Sequence, residues 1–224
     1  MSDASLADVI RPADRVASAA SGSLASADHI HLWYLDRSQI PLHESWLAED
    51  ERERTQQMSA ERRDEFVAGR NALRIILGHL LERDPASVAI HISDKGKPCL
   101  DDQSIEFSFS HCHRKLLMGF SSQPLGIDLE RVRSRENLMG IARRIFDQTC
   151  CEQLQSATGP ERERRFYRFW SAHEAIQKIR GDGLFGERHV PGFVGNLEFP
   201  GFQAAVATEI NEPVFHLHEK LPTD

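Results

Sequence analysis

Three carboxylates and one amine stand at spacings that would let them meet at a single site. Asp128 and Glu130 occupy alternate positions in Leu-Gly-Ile-Asp-Leu-Glu, so in a strand both side chains point to the same face. Glu174 and Lys178 are four residues apart in a segment with helical periodicity, and they therefore share one helix face. Carboxylates that converge with an ammonium group from a strand and a helix indicate a divalent metal site beside an acid–base pair.

A solvated ion pair is the simpler interpretation of Glu174 and Lys178. An exposed pair of this kind contributes at most about 0.5 kcal/mol to stability. The second cluster of carboxylates upstream, at Asp128 and Glu130, is the observation that favours a functional site over this interpretation.

Composition and charge limit the classes of protein to consider. The chain has 224 residues, 40% of them hydrophobic, which is enough for a well-filled core in one or two units. Its net charge of −7 lacks the basic excess expected of a nucleic-acid binder. No apolar run approaches the ~20 residues that a membrane span needs, and the four cysteines form no Cys-x-x-Cys pair. We expect a cytoplasmic monomer that contacts neither nucleic acid nor membranes.

The hydrophobic pattern predicts helices packed on small sheets, an α+β arrangement that occurs twice along the chain. We expect a flexible leader at residues 1–28, an N-terminal subdomain at 29–122 and a C-terminal subdomain at 123–224. The predicted helices are 46–58, 60–81, 137–146 and a helix that carries Glu174. The predicted strands are 31–36, 88–92, 105–111, 116–120, 125–130, 193–199, 203–208 and 213–218.

Several short motifs, in a fixed order, resemble one enzyme family. They are Gly69-Arg70 to Arg74, Gly96-Lys97-Pro98, Phe109-Ser110-His111, Asp128-x-Glu130, Phe-Trp-Ser-Ala-His-Glu-Ala-Ile-Gln-Lys at 169–178, and Gly181-x-Gly183-Leu184. Together they resemble the 4′-phosphopantetheinyl transferases, and the longer, surfactin-synthetase-activator (Sfp-like) type fits best. The resemblance runs from about Trp33 to Leu184.

The resemblance implies both an architecture and a reaction. Two similar α/β subdomains are related by a pseudo-two-fold axis, with coenzyme A and Mg²⁺ held in the cleft between them. The N-terminal subdomain serves the nucleotide, and the C-terminal subdomain serves the metal and the chemistry. The phosphopantetheine arm of coenzyme A passes to a serine of an apo acyl or peptidyl carrier protein, and adenosine 3′,5′-bisphosphate leaves.

The same resemblance assigns roles to the three carboxylates and to Lys178. Asp128, Glu130 and Glu174 are the implied Mg²⁺ ligands, which agrees with the preference of this ion for oxygen. Glu174 is also the candidate general base, and Lys178 would stabilise or protonate the departing phosphate.

The implied contacts with coenzyme A depend on shorter matches. His111, with Ser110 beside it, matches a phosphate-contacting histidine, although His111-x-His113 could also form a metal site on one strand face. Lys97 and Pro98 match a turn on the adenine side, where an ordinary reverse turn is the alternative. Arg74, and also Arg70, match basic residues near the ribose phosphate, and a solvated basic helix face is the alternative.

Two positions depart from the family pattern. His173 stands where the family usually has lysine, and the resemblance places this position among the coenzyme contacts. We expect coenzyme A binding to weaken above neutral pH partly through this histidine. In the family, a glutamate often follows shortly after a Phe-Ser pair. This chain has Phe146-Asp147 instead, and Glu152, which lies further along, is not assigned as a ligand.

Two other functions use similar residues. A metal-dependent phosphodiesterase or nuclease also combines carboxylates with a lysine, but it would favour a broad basic groove. A non-catalytic module that binds coenzyme A or a carrier protein would not need Asp128, Glu130, Glu174 and Lys178 together.

Overall fold

The computed structural model describes residues 5–13, 16–17, 26–102, 104–179 and 191–222. In this part of the chain the α-helices are α1 (Leu6–Val9), α2 (Glu49–Thr55), α3 (Ala60–Leu81), α4 (Leu138–Ile145), α5 (Gln148–Ser156) and α6 (Gly159–Lys178). Short 3₁₀ helices lie at Arg37–Gln39, Glu44–Trp46 and Pro85–Ser87. The strands are β1 (Ile10–Pro12), β2 (Val16–Ala17), β3 (His29–Asp36), β4 (His91–Ile92), β5 (Pro98–Cys99), β6 (Glu106–Cys112), β7 (Lys115–Ser121), β8 (Leu125–Arg131), β9 (Phe193–Phe199), β10 (Phe202–Thr208) and β11 (Val214–His218).

Two mixed sheets form the scaffold, so the predicted α+β class is confirmed. The first sheet has the order β2-β11-β3-β7-β6, and the second has the order β1-β9-β10-β8. In the first, β3, β7 and β6 are antiparallel neighbours, and in the second β8, β10 and β9 repeat this pattern. Strands β4 and β5 form a separate hairpin.

Helix α3 covers one face of the first sheet. Its apolar stripe of Leu73, Ile76 and Leu77 is fully buried against a cluster that includes Trp33 and Phe107. The predicted helix at 60–81 is confirmed, and it ends at Glu82, whose left-handed conformation lets its N–H bond back to the last turn.

Helix α6 covers the second sheet in the same way. Phe169, Ala172 and Ala175 are buried against residues of β9 and β10, and α4 and α5 pack alongside. The predicted helix around Glu174 is therefore confirmed, and its apolar face determines which residues remain for the cleft.

The two sheets meet along β6 and β8. Ile127 N–H donates to Ser108 Oγ over 3.0 Å, which joins these two strands through a side chain. Gly126 of β8 lies so close to α6 that a Cβ atom there would fall 1.9 Å from the Ala175 carbonyl oxygen. This close approach places the polar side of α6 beside β8 and β6.

Some segments differ from the sequence-based expectations. Residues 5–13 of the expected flexible leader form α1 and β1, and β1 pairs in parallel with β9, because Ile10 is buried in the second core. Strand β11, expected in the C-terminal subdomain, pairs in parallel with β3 of the first sheet. Helix α5 was not predicted, and only His91–Ile92 of the predicted strand 88–92 pairs with a neighbour.

Candidate active site

Strand β8 and helix α6 bring the predicted charged residues to one place. Asp128 and Glu130 lie on one face of β8, while Glu174 and Lys178 lie one turn apart at the C-terminal end of α6. The contact between them is direct: Lys178 Nζ lies 2.6 Å from Asp128 Oδ1. Asp128 is only 4% exposed, so this ion pair is screened from water on its acidic side.

Ser110 of β6 completes a small polar network around Asp128. Its Oγ donates to Asp128 Oδ1 over 3.1 Å and accepts from Lys178 Nζ over 3.4 Å. One residue from each of β6, β8 and α6 therefore meets at this point, where the two sheets adjoin.

Glu130 and Glu174 extend the acidic cluster. Trp170 Nε1 donates to Glu130 Oε1 over 3.0 Å, which orients this carboxylate. Burial raises the pKa of Glu130, and the charge of Asp128 adds to the rise, while Trp170, Lys178 and Arg135 act against it. Burial and Asp128 likewise raise the pKa of Glu174, and Lys178 opposes them.

These electrostatic effects test whether a cation would suit the site. Three carboxylates lie beside one ammonium group, Lys178, and burial together with the charge of Asp128 raises the pKa values of Glu130 and Glu174. Asp128 Oδ2 is buried and has no hydrogen-bond partner among the described residues. A hard divalent cation would satisfy this oxygen and offset the excess negative charge, so the residues fit Mg²⁺.

Two cavities lie on either side of Phe109. One, of about 410 Å³, is lined by Lys97, Pro98, Glu174 and Lys178 among others. The other, of about 310 Å³, is markedly basic, and its polar lining includes Arg37, Arg54, Arg62, Arg70, His111 and His113. Of the predicted coenzyme contacts, Lys97, Pro98 and Lys178 thus lie at the first cavity, and Arg70 and His111 at the second.

The predicted contacts Arg70 and Arg74 are held by a buried acid of α2. Arg70 Nε lies 3.0 Å from Glu51 Oε1, and Arg74 Nη2 lies 2.7 Å from Glu51 Oε2. Arg74 is 2% exposed and lines neither of the two cavities, and its guanidinium contacts Glu51. Arg70 reaches the basic cavity, and Glu51, which also pairs with Arg74, holds it from behind.

Lys97 also forms hydrogen bonds within the protein. Its Nζ donates to the Ile179 carbonyl over 2.8 Å, to Glu106 Oε2 over 3.1 Å and to the Leu125 carbonyl over 3.4 Å. These bonds connect the turn before β5 with β8 and the end of α6. Lys97 is therefore a clamp across the cleft as well as part of its wall.

The structure gives the surroundings of two histidines, His173 and His113. The ring of His173 packs edge-on against Phe146, and burial lowers its pKa. The expected weakening of coenzyme A binding above neutral pH through His173 stays a prediction. His113 lies beyond β6 with φ of 56°, and its Nε2 lies 3.0 Å from Arg131 Nη1, which argues against a metal site shared with His111.

The sequence analysis gave no role to Trp170, Ser108 or Phe109. Trp170 stands four residues before Glu174, and this helical spacing is the signal that could have placed it on the same face. Ser108 and Phe109 show only the alternation of a strand, which gives no indication of a partner. The motif Gly181-x-Gly183-Leu184 lies outside the described residues.

Comparisons with known proteins identify the family of this chain. A family model described as the 4′-phosphopantetheinyl transferase superfamily matches residues 124–209, which include Asp128, Glu130, Glu174 and Lys178. The 4′-phosphopantetheinyl transferase HetI of Nostoc sp. is 34% identical over 168 residues, covering 70% of this chain and 71% of HetI.

Two further relatives extend this result. The 4′-phosphopantetheinyl transferase Sfp of Bacillus subtilis is 32% identical over 152 residues, covering 62% of this chain and 67% of Sfp. Enterobactin synthase component D of Salmonella typhi is 27% identical over 190 residues, covering 84% of this chain and 72% of that protein. The chain belongs to the 4′-phosphopantetheinyl transferase family.

Proposed function

We propose that this enzyme transfers the phosphopantetheine arm of coenzyme A to a serine hydroxyl of an apo acyl or peptidyl carrier protein. The observation that carries the proposal is the meeting of Lys178, Asp128 and Ser110 beside Glu130 and Glu174, at a cavity lined by Lys178 and Glu174. Transfer of a phosphoryl-linked group requires charge neutralisation, a proton acceptor and a stabilised leaving group, and this cluster contains each of them.

Asp128, Glu130 and Glu174 would hold the metal. Mg²⁺ bound there would neutralise the charge of the coenzyme pyrophosphate during the reaction. Trp170 orients Glu130, and Ser110 with Lys178 orients Asp128, so the carboxylates are positioned by neighbours that are not themselves ligands.

Two residues of α6 accept the proton and stabilise the leaving group. As the serine Oγ bonds to the β-phosphorus, Glu174 accepts its proton, and the bond from that phosphorus to the bridging oxygen breaks. Lys178, one helical turn away, stabilises the phosphate of the departing adenosine 3′,5′-bisphosphate. Its ammonium is held by Asp128 and Ser110, so the cation stays beside the reacting phosphates.

We assign the nucleotide end of coenzyme A to the basic cavity. The guanidinium groups of Arg54, Arg62 and Arg70 would bind the ribose phosphate of coenzyme A, and His111 would bind another of its phosphates. Lys97 and Pro98 form the wall on the other side of Phe109, and Arg74 acts through Glu51 and Arg70.

The architecture is part of the proposal. Antiparallel β3-β7-β6 under α3 and β8-β10-β9 under α6 have the same connection order, which supports a pseudo-two-fold relation between the two halves. We infer that the enzyme acts as a monomer, because β6, β8 and α6 of one chain supply the whole cluster. We also propose that it acts in the cytoplasm. Among the described residues, none of the helices has the length and apolarity required to span a bilayer.

The test is mass spectrometry of apo carrier proteins incubated with the enzyme, coenzyme A and Mg²⁺. We expect a mass gain of one phosphopantetheine group, lost in Glu174→Gln and retained in Glu198→Gln, a control at an exposed carboxylate of β9. Absence of any gain across a panel of carriers would contradict the proposal. Release of adenosine bisphosphate without a carrier would instead support a phosphodiesterase.

A further inference from the structure

A ladder of histidines lies on the first sheet, on strands that do not contribute to the cluster around Asp128. His29 and His31 of β3 alternate along one face, as do His216 and His218 of the neighbouring β11. The two strands are parallel, and His216 pairs in register with His31. Because side chains alternate in a strand, all four rings project from the same face of the sheet.

Three of these rings lie close together. One nitrogen from each of His29, His31 and His216 can be chosen so that all three lie within 4.8 Å of one another. His29 Nδ1 and His216 Nε2 are 3.2 Å apart. Two nitrogens bound at about 2.05 Å to a tetrahedral zinc ion would be about 3.3 Å apart, which is close to this separation.

The surroundings of the three rings also suit a metal ion. His31 and His216 are 1% and 5% exposed, whereas the side chain of His29 is 32% exposed and leaves a route from solvent.

One of the rings has an outer hydrogen-bond partner. His218 Nε2 lies 3.2 Å from His31 Nδ1, whereas the carboxylate of Asp28 lies 4.0 Å from His29 Nε2, beyond hydrogen-bond distance. Metal-binding histidines commonly have such a partner at the second ring nitrogen, which fixes the orientation of the ring.

We propose that His29, His31 and His216 bind a first-row transition-metal ion such as Zn²⁺, at a site separate from the carboxylate cluster. The bound ion would join β11, near the C-terminus, to β3 of the first sheet. Strand β11 is three positions from β6 in this sheet, about 14 Å at the usual strand spacing, so the two sites do not share ligands.

The experiment titrates the full-length protein, stripped of metal with a chelator, with Zn²⁺ and with Co²⁺ in an excess of Mg²⁺. We expect about one Zn²⁺ per chain by calorimetry, a higher thermal midpoint, and the ligand-field absorption of tetrahedral Co²⁺ with nitrogen ligands. Octahedral Co²⁺ absorption, or no binding above the Mg²⁺ background, would overturn the proposal. The Co²⁺ spectrum uses the unaltered chain and does not depend on any variant folding.

Variants separate this site from its neighbours. His29→Gln is the first choice because the ring is partly exposed, and it should weaken Zn²⁺ binding by at least about tenfold. His91→Gln removes an exposed histidine of β4 and should leave binding unchanged, as should Glu174→Gln. Unchanged affinity in both His29→Gln and His216→Gln, or its loss in Glu174→Gln, would refute the assignment.

Discussion

At the scale of single residues, Glu130 depends on the indole of Trp170 for its orientation. Trp170→Phe keeps the stacking on Phe166 but removes the donor to Glu130 Oε1. We expect the Mg²⁺ concentration for half-maximal transfer to rise by about 10-fold or more, because loss of such an outer partner typically weakens metal binding 10–100-fold. The measurement is the initial rate of transfer against Mg²⁺ concentration.

The rate at saturating Mg²⁺ is the internal control for Trp170. A positioning residue leaves this rate within about threefold of the original, since the reacting groups are unchanged. Trp46→Phe, in a 3₁₀ helix away from the carboxylates, should alter neither quantity. An unchanged Mg²⁺ requirement in Trp170→Phe would show that the hydrogen bond does not position Glu130.

The central residues of the site could be predicted because their spacing carries geometric information. The alternation of side chains in a strand predicts that Asp128 and Glu130 share one face, and the four-residue interval predicts the same for Glu174 and Lys178 on a helix. The contribution of Ser110 to this network could not be derived in the same way. It depends on β6 lying beside β8, which no local pattern specifies.

At the scale of secondary-structure elements, Glu51 joins α2 to α3. It is 3% exposed, accepts from the Ala48 N–H, and pairs with Arg70 and Arg74. Glu51→Gln leaves two buried guanidiniums without an anion, so we expect the free energy of unfolding to fall by about 3–5 kcal/mol. Urea denaturation followed by circular dichroism measures this loss.

Glu44→Gln provides the matched control, because Glu44 forms an ion pair with Arg63 in which the two side chains are 53% and 43% exposed. Its loss should change the free energy of unfolding by no more than about 0.5 kcal/mol. Equal effects of the two substitutions would mean that Glu51 and its arginines are hydrated in solution.

The contact of α6 with β8 depends on Gly126. The Cβ of an alanine there would fall 1.9 Å from the Ala175 carbonyl oxygen and 2.8 Å from Ile179 N, and both are backbone atoms that cannot rotate away. Gly126→Ala should therefore push α6 outward and lower the free energy of unfolding by about 1–3 kcal/mol. Transfer should fall by at least about 100-fold, since misplacement by about 1 Å can cost that much.

Gly69→Ala is the comparison for Gly126 in stability measurements. Nothing lies within 4 Å of the added Cβ, and the position is inside α3, so this change should stabilise the fold by about 0.5–1 kcal/mol. Full activity of Gly126→Ala would show that the packing distance between α6 and β8 does not control the site.

Elements with a strong apolar period were the ones that sequence could locate. Helix α3 was predicted to the residue, because Leu73, Ile76 and Leu77 follow one stripe and Asp84-Pro85 follows its end. Helix α5 was missed, since only Cys150 and Leu154 of its polar sequence are buried. The capping contact of Asp147 with the Cys150 N–H was its one local signal.

At the scale of the whole molecule, the unpredicted features are pairings between distant parts of the chain. Strand β11 lies parallel to β3 although about 180 residues separate them, and β1 lies parallel to β9 across a similar interval. Such pairings result from closing both cores, where Phe215 and Ile10 are buried, and no local periodicity encodes them. The histidine ladder is a consequence of the first pairing.

The association of the two halves across the cleft gives the last prediction, which concerns Lys97. Its ammonium bonds to Glu106 in the first sheet and to the carbonyls of Leu125 and Ile179 in β8 and at the end of α6. Lys97→Met keeps the apolar stem but leaves these acceptors without their donor. We expect the free energy of unfolding to fall by about 2–4 kcal/mol, because bonds to a charged donor are strong and the acceptors are largely shielded from water.

Stability and coenzyme binding distinguish the clamp from a simple ligand contact. Lys220→Met, at an exposed position, should change the free energy of unfolding by less than about 0.5 kcal/mol, whereas Lys97→Met should show the full loss. Isothermal titration with coenzyme A at a temperature where both variants are folded provides the second readout. A Lys97→Met variant of unaltered stability and weakened coenzyme affinity would contradict the clamp, since the ammonium would then serve the ligand and not the junction between β5, β8 and α6.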